Sequence, residues 1–375
     1  MKTKFYSLKK KIIVSVISDI VTDQRVQKEC GTLFNNGYDV LLIGRNSKRN
    51  FGLRELPYRV VRFKNLFKRG PFMYLVFDLQ LFFYLLFSKA DILWSNDLDT
   101  LFPNFLISWL KGKKLVYDSH EYFPLTVYKK IQRAIWERLE NVLFPRLKNV
   151  ITVNDSIKHA YEAKYGVNIT VIRNVPLRLP NNPGNSKPEV PGGKKVLVMQ
   201  GVGLNEHRGA EEAVLMMQYL PDEFMLYFIG RGTILHNLKA MTRSLRLEDK
   251  ITFIDPLPYL EMMEYTKQCF LGLVFVKIEL NDVHLFSLPN KFFDYIQAGI
   301  PVLASKGVEL KNIIDQYQIG TYLDNLDPPD MATRIKDISV SAEYDNWKKN
   351  TFAAAQILCW ENEEKILINF MNNLK

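Results

Sequence analysis

Residues 287–305 read SLPNKFFDYIQAGIPVLAS: a polar loop, a short helical stretch, a Gly-Ile-Pro turn and an apolar run. Gly299 and Pro301 end the helix and let a strand begin, because glycine accepts a left-handed cap and proline cannot continue a helix. The spacing puts Asn290 and Lys291 on the first helical turn and Asp294 one turn further along the same face. Unpaired N–H groups at such a helix start suit an anion or a sugar hydroxyl. The same residues equally suit a plain helix, capped by Ser287 and carrying a solvated Lys–Asp pair.

Apolar runs of similar length recur on both sides of this stretch. KIIVSVIS, YDVLLIG, DILWSN, KLVYDS and NVITVN lie in the first half, and KVLVMQG, FMLYFIG, ITFID, LGLVFV and PVLAS in the second. Between them lie amphipathic stretches with helical spacing. Strands alternating with helices predict an α/β protein with a parallel sheet in each half. Residues 176–195, PLRLPNNPGNSKPEVPGGKK, hold five prolines and three glycines and almost no large apolar side chain, which marks a linker. We therefore expect domains over 1–178 and 196–356 with a linker over 179–195. The helical pattern of the last segment, 357–375, is expected to pack back on the first domain. In doubly wound sheets ligands lie at the carboxyl ends of the strands, so the residues that end the runs carry the interest.

A chain of 375 residues with 47% hydrophobic content supports two folded domains. Cys30, Cys269 and Cys359 are far apart and odd in number, giving neither a disulfide framework nor metal-ligand spacing, so a reducing cytoplasm is expected. The N-terminal apolar run is too short for a secretory signal and reads as a first buried strand. Residues 1–180 hold 30 Lys and Arg against 15 Asp and Glu, whereas the remainder holds 20 against 25. Only the first half is thus fitted to a polyanionic surface, nucleic acid or anionic membrane.

Three run ends carry candidate chemistry. KVLVMQGVGLNEHRGAEEAVLMM is a strand, a loop with Gly201, Gly203 and Asn205, and a helix with Arg208 just before its start. A diphosphate there would meet backbone N–H groups and a guanidinium able to bond it bidentately, although two glycines after a strand also make an ordinary turn. KLVYDSHEYF ends a strand in Asp118, Ser119, His120 and Glu121, where an imidazole beside two carboxylates can donate to a sugar hydroxyl or phosphate. Near the N-terminus Asp23 is placed to cap a helix, and Arg25 on its first turn to face an acceptor. Asn96-Asp-Leu-Asp-Thr100 contains a D-x-D that invites a metal-dependent reading. We reject that reading, because the run fits a strand end and the cationic loops lie 100 residues away. Helix capping and acceptor-side contacts are the expected uses of Asp97 and Asp99, and no metal site is expected.

PNKFFDYIQAGIPV, YDSHEYF and the Arg208-Gly209 pair together resemble the retaining GT-B glycosyltransferases of family 4, over nearly the whole chain. The resemblance implies two doubly wound, Rossmann-like domains facing across a cleft, the first binding the acceptor and the second a nucleotide-sugar. It implies catalytic roles for His120, Arg208 and Lys291. Donor contacts would come from Gly203, Asn205, Arg231 (in Phe228-Ile-Gly-Arg-Gly232), Ser287, Asn290 and Asp294. Asp23, Arg25, Asp118 and Glu121 fall on the acceptor side. Phe253-Ile-Asp-Pro256 matches the loop that meets the base. The family pattern has two glutamates separated by seven residues; here they fall on Phe286 and Asp294, so the first carboxylate is missing or supplied by Glu279 or Asp282. A second family Arg is replaced by Val202. The nucleotide-sugar, of UDP or GDP type, is a substrate, and no cofactor is implied.

Cations at Arg59, Arg62, Lys64, Lys68 and Arg69 precede PFMYLVFDLQLFFYLLFSKA, a run too short and interrupted to span a bilayer. It suits either a buried helix or one lying in the interface of an anionic leaflet, with Phe82, Phe83, Leu85 and Leu86 inserted. No nucleic-acid module is present. The expected protein is a cytoplasmic glycosyltransferase, peripheral on the inner face of the cytoplasmic membrane, acting on a lipid-linked saccharide in cell-surface polysaccharide synthesis. The rivals are a GT-B nucleotide-sugar epimerase and a non-catalytic relative kept for assembly or membrane recruitment.

Overall fold

The computed structural model describes residues 9–18, 20, 21, 23–46, 55–64, 67, 70–123, 130–180, 191–277 and 286–375. The chain divides into two compact units, one of Met1–Asn174 with Glu363–Lys375 and one of Val175–Asn362.

The first unit is built on a parallel sheet of seven strands. They are β1 (Lys11–Ser15), β2 (Asp39–Arg45), β3 (Arg59–Phe63), β4 (Ile92–Asn96), β5 (Lys114–Ser119), β6 (Asn149–Thr152) and β7 (Ile169–Val171). Their order is β3-β2-β1-β4-β5-β6-β7, so the winding reverses between β1 and β4. Ser15 lies opposite Ser95 across that reversal, and Asn96 opposite Asp118 between β4 and β5. Helix α1 (Gln24–Asn35) follows β1, helix α2 (Pro71–Phe87) follows β3 and helix α3 (Leu101–Lys111) follows β4. On one sheet face Phe77, Leu81 and Leu85 of α2 pack against Ile13, Leu41, Ile43 and Leu93. Each such side chain contributes about 1.5–3 kcal/mol on leaving water.

The second unit repeats the plan with β8 (Lys195–Gly201), β9 (Phe224–Gly230), β10 (Ile251–Ile254), β11 (Leu271–Val274), β12 (Val302–Ser305) and β13 (Gly320–Leu323). The strands are parallel in the order β10-β9-β8-β11-β12-β13. Strand side chains alternate between faces, and both faces are covered, which is why these runs are apolar throughout and not every second residue. Leu197, Met199, Leu226 and Phe228 enter one core, whereas Val196, Val198, Tyr227 and Ile229 enter the other.

Three expectations are revised by these coordinates. Residues 175–180 belong to the second unit: the Pro176 carbonyl accepts from Trp360 N–H at 2.8 Å, and the Arg178 guanidinium donates to the Gln356 carbonyl at 3.0 Å. Of the expected linker, residues 181–190 lie outside the described residues. The return to the first unit begins at Glu363, whose carboxylate accepts from Arg173 N–H at 2.9 Å, and Glu364 accepts from Thr32 Oγ1. Arg59–Phe63, read above as part of a cationic cluster, is edge strand β3, with Arg59 paired to Asp39.

Leu85 is wholly buried, and Phe82 and Leu86 pack against the same core, so of the set expected to insert only Phe83 faces outward. The exposed face of α2 is instead Phe72, Leu75, Leu79, Phe83 and Phe87, the last 83% exposed. No helix among the described residues is long and apolar enough to cross a membrane.

Candidate functional site

In the second unit the helix Asn290–Ala298 begins after Pro289, which occupies the N-cap without a side-chain bond, so Ser287 is not the cap. Gly299 closes it in the left-handed region at φ 75°, as the Gly-Ile-Pro turn requires. Buried Phe292, Phe293, Tyr295 and Ile296 hold one face in the core. Asn290 is exposed on the first turn, and Lys291 and Asp294 are half-buried on the opposite side. Asp294 Oδ1 accepts the Tyr259 hydroxyl at 2.9 Å. Burial pushes the Lys291 ammonium down to about 8, the neighbouring Arg208 guanidinium pushes in the same direction, and Asp294 opposes both. Arg208 and Lys291 are thus mutually close cations, and among the described residues neither has a carboxylate within ion-pair distance.

Arg208 is carried by the loop after β8. Gly209 beside it has φ 67°, and a Cβ there would lie 2.4 Å from Phe275 Cβ, so only glycine fits. The loop is locked to the one after β9: Arg231 N–H donates to the Gly201 carbonyl at 3.1 Å and Leu204 N–H to the Arg231 carbonyl at 3.3 Å. Gly232 is required by this approach, since its Cβ would sit 1.8 Å from Leu204 O. Gly203, by contrast, has nothing within 4 Å of its Cβ position. Asn205 is exposed and accepts from Thr233 N–H and hydroxyl at 3.1 and 3.2 Å. Arg208, Lys291 and Asp294 therefore come together, with Gly203, Asn205 and Arg231 on the paired loops at the strand ends. Val202 is 68% exposed in the same loop. Glu279 and Asp282 lie outside the described residues.

In the first unit a chain of charges runs inward from the ends of β4 and β5. Asp23 caps α1, accepting from Val26 N–H at 3.2 Å and from the Ser18 hydroxyl at 2.6 Å. Arg25 is only 2% exposed and does not face outward as expected. Its Nε and Nη2 donate to both oxygens of Asp118 at 3.1 and 2.8 Å, its Nη1 to the Ile172 carbonyl at 2.7 Å, and Nε lies 3.0 Å from Glu29. Asp118 is fully buried; burial alone would raise its pKa, but Arg25 and His120 outweigh it and hold the carboxylate well below its ordinary range. Glu121 is exposed, and its backbone carbonyl accepts from Ser119 Oγ at 2.8 Å.

Both ring nitrogens of His120 are turned to acceptors of the protein. Nε2 lies 3.2 Å from Asp118 Oδ2 and 3.2 Å from Asn96 Oδ1, and Nδ1 lies 3.4 Å from Asp97 Oδ2. Asn96 donates its amide to the Ser15 carbonyl at 3.1 Å, which leaves its oxygen toward the ring. Only the doubly protonated imidazolium satisfies all of these. Burial lowers the His120 pKa, yet Asp97 and Asp118 outweigh it and lift it to about 10. Glu29, Asp118 and His120 also bring ligand atoms within 4.8 Å of one another. The Arg25 guanidinium already bonds Asp118 and Glu29, so a metal ion there would face a fixed positive charge, and the trio does not suit one.

Asp97 is the residue the sequence undervalued. Its backbone lies at φ 58° and ψ 169°, a region essentially reserved to glycine, where another residue costs about 1–3 kcal/mol. It donates its N–H to the Asp118 carbonyl at 2.8 Å and accepts the His120 N–H at 2.9 Å. Asp99, two residues on, is instead buried, and burial raises its pKa.

Comparison with known proteins agrees with this arrangement. Residues 25–175 match the model of Glycosyltransferase Family 4, and residues 225–359 that of the Glucosyltransferase 3-like C-terminal domain. The chain is thus similar to Glycosyltransferase Family 4 in its first unit and to the Glucosyltransferase 3-like C-terminal domain in its second. No curated protein matches it by sequence. Among solved structures the chain is similar to sucrose-phosphate synthase of Thermosynechococcus elongatus, at 15% identity and TM-score 0.75 over 97% of this chain and 98% of that one. It is similar to HepE of Anabaena in complex with UDP, at 13% identity and TM-score 0.72 over 97% and 100%. WaaG, a glycosyltransferase involved in lipopolysaccharide biosynthesis, aligns at 13% identity and TM-score 0.62 over 95% and 99%. These likenesses establish the fold. The charged residues of both units collect where such sheets take ligands, at the carboxyl ends of the strands.

Proposed function

We propose that this glycosyltransferase binds a nucleotide-sugar in its second unit and moves the sugar, with retention, to a saccharide acceptor met by its first. One observation carries the reading: Lys291 is held down by burial and by the neighbouring Arg208, against Asp294, and among the described residues neither cation has a carboxylate within ion-pair distance. Two like charges held together call for an anion, and a diphosphate supplies it. The loops that present Arg208 and Arg231 are rigid by their own backbone bonds, so the site is preorganised for the charge that develops on the leaving group. Removing one such donor typically costs about 3–4 kcal/mol of transition-state stabilisation. HepE, whose fold is shared, is solved with UDP, which makes UDP the first nucleotide to try.

The chemistry we assign is metal-independent. The bond between the sugar's anomeric carbon and the diphosphate breaks with its electron pair going to the diphosphate. Arg208 and Lys291 take up that charge in place of a metal ion. The acceptor hydroxyl attacks from the same face, and its proton passes to the departing diphosphate. Asp294 accepts from the ribose, with Tyr259 orienting it.

The exposed apolar face of α2 supports an acceptor presented at an anionic membrane. It stands in a half of the chain with 30 Lys and Arg against 15 Asp and Glu. The location this implies is the inner face of the cytoplasmic membrane, in the synthesis of a cell-surface polysaccharide. WaaG, of the same fold, is described as acting in lipopolysaccharide biosynthesis.

Calorimetric titration with UDP and GDP tests the donor assignment. The wild type should bind one of them, and Arg208→Ala should bind it at least about a hundredfold more weakly, as loss of a charge-assisted contact implies. Unchanged affinity in the variant would remove Arg208 from the site.

A further inference from the structure

We propose that Asp97 is a hydroxyl-binding residue of the acceptor side, its carboxylate accepting a hydrogen bond from a ring hydroxyl of a sugar acceptor. The inference rests on the glycosyltransferase reading of the first unit. Asp97 ends β4 beside β1, where the winding of the seven-stranded sheet reverses. Such reversals open a crevice at the carboxyl ends of the strands, and ligands settle there.

Around that point the polar groups are committed to the protein. Asp118, Asn96 and Ser15 are fully buried and bonded to Arg25, His120 and one another. The His120 ring has both nitrogens turned inward, so it has no N–H left for a ligand. The Asp97 side chain, 24% exposed, is the outermost member of this network. Its two oxygens carry about four acceptor positions, of which the His120 N–H and ring occupy two.

The backbone at Asp97 points the same way. A capping or turn role is open to glycine without strain, whereas this position keeps an aspartate in a conformation that disfavours it. Strain of that kind persists where the side chain is needed. Burial raises the Asp97 pKa and the imidazolium beneath it opposes that as counter-ion, holding the carboxylate in place while it takes a neutral hydroxyl. Charge-assisted bonds of this type are roughly twice as strong as neutral ones.

Asp97→Asn separates this use from a structural one, because the amide oxygen still accepts the His120 N–H and the isosteric side chain leaves the backbone conformation and its strain as they are. Methyl β-glucoside and methyl β-galactoside serve as probes, their binding read by saturation-transfer NMR on the full chain. The expected result is glycoside affinity about tenfold lower with the His120 ring titrating at lower pH, and a Tm below the wild type only by what that lowered His120 pKa accounts for. An unchanged glycoside signal, or no signal with the wild type, overturns the proposal. So does a Tm that falls in step with binding, which would make the carboxylate structural. UDP titration of the same samples keeps the donor reading separate: wild-type affinity is expected in Asp97→Asn, and the glycoside arm needs no nucleotide.

Discussion

Arg25 grips Asp118 with two parallel hydrogen bonds, 3.1 and 2.8 Å long, between side chains that are 2% and 0% exposed. They come from elements 93 residues apart, α1 and β5. Planar, bidentate pairing is what the guanidinium does best, and here it ties the start of α1 to the strand end that carries His120. The third donor reaches the Ile172 carbonyl beyond β7, so one side chain ties together both halves of the seven-stranded sheet.

Breaking this pair should be costly. Asp118→Asn leaves a buried guanidinium with Glu29 alone, and removing one partner of a buried pair typically costs about 3–5 kcal/mol. Urea unfolding should show that loss in the transition of the first unit. The double variant Arg25→Met, Asp118→Leu should recover much of it, since no uncompensated charge remains. A loss below about 1 kcal/mol in the single variant would show the pair to be dispensable.

The strand runs were legible because both sheets are covered on both faces, which makes β1, β8 and β9 apolar throughout. Edge strand β3 was not, since RVVRF is half-exposed and carries two arginines. Helix α2 was recognised as a helix but misfaced. Its residues are apolar all round, so periodicity holds no information on which row is inside. The sequence placed Arg208 on a loop and Lys291 on a helix start, and the fold brings the two side chains near one another. The strained backbone of Asp97 and the inward turn of Arg25 were not legible, because backbone strain and burial arise from contacts between distant segments.

Lys291 gives the proposed donor site a pH signature. Its free-state pKa is pushed down to about 8, and a bound diphosphate would raise it again. Binding therefore takes up a proton above pH 8. Nucleotide affinity should be flat just below that value and fall as pH rises through it, by at most tenfold per pH unit. Calorimetry in buffers of different ionisation enthalpy would detect the proton. Lys291→Arg, which stays charged, should abolish the fall. An affinity that holds level to pH 10 would place Lys291 away from the diphosphate.

Tyr259 and Asp294 form a pair whose purpose can be separated. Asp294→Asn should weaken binding of the ribose nucleotide by about 1–3 kcal/mol. The 2′,3′-dideoxy nucleotide should show no such loss. Tyr259→Phe removes the 2.9 Å bond that orients the carboxylate and should have a smaller effect in the same direction. Equal losses for both nucleotides would mean a folding defect and would remove ribose recognition from Asp294.

The two rows of α2 predict opposite consequences for similar changes. Leu85 lies in the core at 0% exposure, so Leu85→Ser should destabilise the first unit by about 2–5 kcal/mol. Leu79→Ser, Phe83→Ser and Phe87→Ser together alter only the exposed row and should leave Tm near the wild type. If that row lies in a membrane interface, the triple variant should no longer co-sediment with anionic vesicles. Replacing Arg62 and Lys64 by glutamine should weaken the same binding by about 1 kcal/mol for each charge near the surface, and salt should screen it within a Debye length. Neutral vesicles should hold the wild type poorly, since the apolar row alone gives shallow, reversible attachment. Should wild-type protein stay in the supernatant with anionic vesicles at low salt, the exposed row of α2 has another partner and the acceptor reaches the enzyme from solution.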